Sequence, residues 1–91
     1  MMAYKEEVIE FEINGAKAPP ITVRWGDSSA EGNFVFASYA DSPRYFGKDL
    51  EFWKQCADTA LTMWLGKNRK QAKTGMLTEP NFPPNRMVEY G

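Results

Sequence analysis

The chain has 91 residues, a mass of 10.4 kDa and a net charge of −1, which is one domain's worth of sequence and excludes a multidomain enzyme. At that mass about two-thirds of the unfolded surface is buried on folding, and 43% hydrophobic with 25% charged residues is the composition of a globular domain rather than a disordered one. The near-neutral balance speaks against a general polyanion binder, and the absence of histidine removes His-based triads, His metal sites and a His general base. A single cysteine forbids an internal disulfide and suits a reducing, cytoplasmic setting. No run approaches the roughly 20 apolar residues of a membrane span, and no apolar leader follows Met1-Met2.

Charge is unevenly spread. Residues 1–31 hold three basic and six acidic groups, and the remaining sixty hold eight and six, so the two parts carry −3 and +2.

From Tyr4 to Ile13 the pattern alternates at its end, with Ile9, Phe11 and Ile13 on one face and Glu10 and Glu12 on the other, which predicts a half-buried strand. Asn14-Gly15 is the strongest short hairpin signal. Pro19-Pro20 follows too closely for a clean two-residue hairpin, because neither proline can donate to a ladder; 14–20 reads as a loop or a hairpin with a broken second arm. Ile21, Val23 and Trp25 alternate with Thr22 and Arg24 in a second strand. A polar turn over 26–33 leads to a third strand, 34–39. Three strands with short connections make an antiparallel meander.

Asp41-Ser42-Pro43 ends the sheet pattern. From Asp49 to about Leu65 the period turns helical, with Leu50, Trp53, Ala57, Ala60, Leu61 and Trp64 forming one stripe. Gly66 either stops this helix or lies inside one that runs to Lys73. The expected fold is α+β: a three-stranded antiparallel sheet packed on one long helix (βββα) within 1–74. Residues 75–91, with Pro80, Pro83 and Pro84, form an extended C-terminal tail that is docked or partner-binding.

Several chemical readings can be weighed. Asp27, Ser29, Glu31, Gly32 and Phe34 sit at the first, third, fifth, sixth and eighth positions of a calcium-loop spacing, but position twelve is Ser38 where a bidentate Glu is required. A hairpin turn needs the same residues without metal, so no metal is expected. Cys56 lies mid-helix with no histidine to activate it and reads as a small buried hydrophobe rather than a nucleophile. Asp41, Asp49 and Asp58 have no spacing that demands they meet, and Ser28-Ser29 lacks the Gly-Lys-Ser/Thr run of a phosphate loop. No catalytic residue and no cofactor is expected.

The informative feature is apolar surplus. Phe52, Cys56 and Met63 fall off the main helical stripe and form a second one, although one sheet needs only the first. In the third strand, Phe34 and Phe36 occupy one face while Val35, Ala37 and Tyr39 occupy the other; strands apolar on both faces are normally covered on both. The cover is expected from the tail, with Met76, Leu77, Phe82, Met87, Val88 and Tyr90, or from a second molecule. A second molecule is the better candidate, since seventeen proline-interrupted residues can hardly cover both surfaces. The expected function is therefore a small non-enzymatic protein-binding module, an adaptor or inhibitor of the size and character of viral and phage accessory proteins. Its interface would include Phe52, Cys56, Met63, Phe82 and Tyr90, and its partner would be another protein or a second copy in a homodimer. The rival expectation is RNA or single-stranded DNA binding through Lys67, Arg69, Lys70 and Lys73 beside Trp64.

Overall fold

The computed structural model describes residues 5–28, 32–39, 50–79 and 85–91. In chain order the elements are β1 (Lys5–Ile9), β2 (Glu12–Ile13), β3 (Ala16–Lys17), β4 (Ile21–Ser28), β5 (Gly32–Tyr39), α1 (Leu50–Lys67), β6 (Leu77–Glu79) and β7 (Asn85–Tyr90). The main sheet is antiparallel with five strands in the order β1-β4-β5-β7-β6. The α+β architecture with one helix on an antiparallel sheet is as expected, but the three-stranded count is corrected to five. The tail supplies the difference, because β7 pairs with the edge of β5 that a meander would leave open, from Asn33↔Tyr90 to Ala37↔Arg86.

The expected first strand divides in two. Lys5–Ile9 stays in the main sheet, while Glu12–Ile13 turns back on Ala16–Lys17 in a separate two-stranded hairpin. Asn14 and Gly15 both have positive φ, 54° and 81°, the combination a type I′ turn requires and the reason Asn-Gly is favoured there. The second arm stops after two residues, ahead of Pro19-Pro20. Phe11 and Ile13 pack on the edge of the core, and Ala18 is buried.

Register separates the two faces of the sheet. Ile21, Val23, Val35, Ala37, Val88 and Tyr90 point to one side and are buried against Trp53, Cys56, Ala57, Ala60, Leu61 and Trp64 of α1. The helix lies over β4, β5 and β7. Trp64 is the centre of this core, with its ring 5.1 Å from Trp25 on one side and 5.1 Å from Tyr90 on the other, tilted in both cases. These are favourable aromatic geometries. Arg86 clamps the helix to β7: its Nε donates to Asp58 Oδ1 at 2.8 Å and its Nη2 to Asp58 Oδ2 at 3.1 Å.

The helix passes through Gly66 and ends at Lys67. The amide of Arg69 donates to the Gly66 carbonyl and that of Lys70 to the Leu65 carbonyl, while Arg69 takes φ 57°. This is a Schellman end with arginine in the left-handed position usually held by glycine. Beyond it Ala72 bridges to Tyr90, and the Lys73 amide donates to the Glu89 carbonyl at 2.7 Å, so the chain is laid along β7 before β6 begins.

Candidate functional site

Of the five interface residues expected from the sequence, the four that are described do not share one exposed surface. Cys56 is buried in the core, and burial pushes its thiol pKa up, the opposite of what a reactive thiolate needs. It belongs with Trp53 and Ala57 because it lies about 60° from Trp53 around the helix. Tyr90 is buried against Trp64, and Phe82 lies outside the described residues. Phe52 and Met63 do remain on the outer helix face, 36% and 43% exposed. Between them the Thr59 and Thr62 hydroxyls donate to the Gln55 and Asp58 carbonyls. The described parts of the tail, β6 and β7, join the sheet instead.

A second apolar face is the side of the sheet turned away from α1. Cross-strand register builds it in rows. The central row runs Glu6, Arg24, Phe36, Met87, Leu77 across all five strands. Beside it lies the row Gly26, Phe34, Glu89, and on the other side Val8, Thr22, Ser38. Val8 and Leu77, at the two edges, are 53% and 43% exposed. Phe34, Phe36 and Met87 are half-buried, while Thr22 is buried. On this face β7 adds Met87 to the phenylalanine pair that the sequence already assigns to this side of β5.

The charge on this face is sparse and mixed. Arg24 Nε donates to Glu6 Oε2 at 2.8 Å, and its Nη groups have no partner among the described residues. Glu89 has no ionic partner among the described residues.

The basic segment lies elsewhere, at the C-terminal end of α1. Lys67 pairs with Glu7, and Lys70 Nζ sits 4.5 Å from the centre of the Tyr90 ring, a cation–π contact. Lys67, Arg69 and Lys73 are exposed. Of the expected aromatic neighbours, Trp64 is buried, so it offers no ring for a base to stack on.

The calcium-spaced segment is a hairpin, in which Asp27 pairs with Asn33 and Ser28 with Gly32. Strands on both flanks cannot wrap as a helix-flanked loop, and 29–31 lie outside the described residues. Among the described residues no group of three or more His, Cys, Asp or Glu is placed to hold a metal ion. Asp41 and Asp49 lie outside them, and Asp58 is committed to Arg86. A shallow open groove lined by Glu51, Lys54, Gln55, Asp58, Thr59 and Arg86 is occupied by that ion pair and by Lys54 with Glu51 at 3.7 Å. Among the described residues no helix is long and apolar enough to cross a membrane. Comparison of the chain with protein-family models, with curated proteins and with solved structures gives no match.

Proposed function

We propose that this chain is a small non-enzymatic protein-binding module, acting as an adaptor or inhibitor, and that its docking surface includes the sheet face turned away from α1. The observation that carries the reading is the central strand β5, which turns Val35 and Ala37 into the core and Phe34 and Phe36 away from it. Contiguous apolar surface of this kind marks an interaction site in small globular proteins, and aromatics and methionine are the types interfaces favour. Phe52 and Met63 lie on the opposite side of the molecule and are separated from each other by about three turns of helix.

Nucleic-acid binding is the rival. Aromatic side chains on a sheet can stack bases, but such platforms work with a cationic groove for the backbone. The charged side chains described on this face are Glu6, Arg24 and Glu89, a net negative set. The four cations of the basic segment are gathered at the helix end instead.

The test is a tagged-bait capture from the native host, read by mass spectrometry, with Phe36→Asp and Met87→Asp as face variants. A second bait carries Lys67, Arg69, Lys70 and Lys73 changed to Gln. A protein partner lost with the face variants and kept with the Gln variant supports the reading, provided circular dichroism shows the fold intact. Salt-sensitive capture of RNA or single-stranded DNA, abolished in the Gln variant, would establish the rival.

A further inference from the structure

We infer that the end of α1 and the residues after it, 67–73, form a docking site for an acidic, extended peptide segment, which pairs with the backbone of Ala72 and sets its carboxylates on Arg69 and Lys73. The site is separate from the sheet face and does not depend on the reading of that face. Four cations, Lys67, Arg69, Lys70 and Lys73, stand here within seven residues and with no acid among them. Two are engaged: Lys67 pairs with Glu7, and Lys70 lies over the Tyr90 ring. Arg69 and Lys73 are exposed and have no ionic partner among the described residues. Favourable charge at a helix C-terminus acts within the last turn. Lys67 fills that place, and Arg69 and Lys73 lie beyond it.

Backbone strain singles out Arg69. Its φ of 57° is a conformation that glycine adopts with less strain, and strained positions gather where a side chain is put to use. The segment is also held in place. The Lys70 amide donates to the Leu65 carbonyl at 2.9 Å, the Lys73 amide to the Glu89 carbonyl at 2.7 Å, and the Gly91 amide to the Gln71 carbonyl at 3.2 Å, so little order is lost on binding. The same bonds fix which way the edge faces. In an antiparallel pair the N–H and C=O of one residue point to the same side, and the side alternates along the strand. Gln71 and Lys73 face β7, so the N–H and C=O of Ala72 face away from it. Ala72 is exposed, which leaves one donor and one acceptor open to an incoming strand. A peptide backbone supplies a partner for each. Phosphate oxygens only accept, and Trp64 is buried and offers no ring to a base.

Heteronuclear NMR titration of the full chain with an acetylated and amidated peptide of alternating Glu and Thr, at low ionic strength, reads site and affinity together. The expected result is saturable shifts of the 69–73 amides, largest at Ala72, with a Kd below about 1 mM. The Gln-Thr counterpart of the peptide binds at least about tenfold more weakly, and added salt weakens the Glu-Thr peptide. Arg69→Gly, which relieves strain rather than adding it, weakens that peptide about threefold, and Arg69→Gly with Lys73→Gln about tenfold, as befits exposed ion pairs. Lys54→Gln, which removes a cation elsewhere on α1, leaves the affinity unchanged. No saturation by about 1 mM, an affinity indifferent to the double variant, or shifts centred away from Ala72 overturns the inference. So does an oligouridine that binds the same amides more tightly than the peptide, which assigns the site to RNA. None of these results touches the sheet-face reading, which is tested with Phe36→Asp and Met87→Asp.

Discussion

Truncation after Lys73 removes β6 and β7 and asks whether the tail is structure or appendage. Val88 and Tyr90 are fully buried in the core, and exposing or losing side chains of this size costs about 1.5–3 kcal/mol each. Loss of the two charge-assisted bonds from Arg86 to Asp58 adds about 1.5–3 kcal/mol. The total, about 5–9 kcal/mol, stands against a stability of about 5–14 kcal/mol expected for a domain of this length. The truncated chain should therefore be unfolded or barely folded at 25 °C. Urea titration followed by fluorescence of Trp25, Trp53 and Trp64 is the direct assay, at fixed protein concentration so that self-association does not enter the comparison. Tyr90→Ala in the full chain should reproduce a large part of the loss, about 3–5 kcal/mol, because it strips one wall from Trp64. A truncated chain that melts cooperatively at the full-length midpoint and slope would refute the claim that β7 completes the core.

Arg69→Gly should stabilise the domain by about 0.5–1 kcal/mol, since glycine adopts the left-handed conformation of the helix end without the strain of a Cβ; a thermal melt shifted downward would contradict the Schellman end. Cys56 should react with a thiol reagent only as the chain unfolds. Its raised pKa means that the unfolded thiol ionises near its ordinary value of 9.0 while the native thiol stays protonated. Stability is then fully present below that pH and declines as pH rises through and beyond it, and Cys56→Ala should flatten the decline in urea midpoints measured from pH 7 to 10. Asp58→Ala leaves the mostly buried Arg86 guanidinium without its carboxylate and should cost about 1–3 kcal/mol in the same denaturation assay.

The helix stripe Trp53, Ala57, Ala60, Leu61, Trp64 and the strand alternations Ile21-Val23-Trp25 and Val35-Ala37 were legible because periodicity is a local property of consecutive residues. So was the turn at Asn14-Gly15, where two positive φ values demand those residue types. The outward pair Phe34 and Phe36 followed from the same alternation, and with it the part of the candidate surface carried by β5. Cys56 went to the wrong side because a wheel centred on Leu50 displaces the buried arc, whose true centre is set by how α1 rests on β4, β5 and β7. The tail was missed for a different reason. Met87, Val88, Glu89 and Tyr90 alternate over too few residues, behind three prolines, to announce a strand. What makes them one is the unpaired edge of β5 and the space beside Trp64 that Val88 and Tyr90 fill. Backbone hydrogen bonding is indifferent to sequence, so strand pairing between residues 33–37 and 86–90 is chosen by which edge is free and which side chains fit the core. Those two conditions exist only once the meander and the helix have already met.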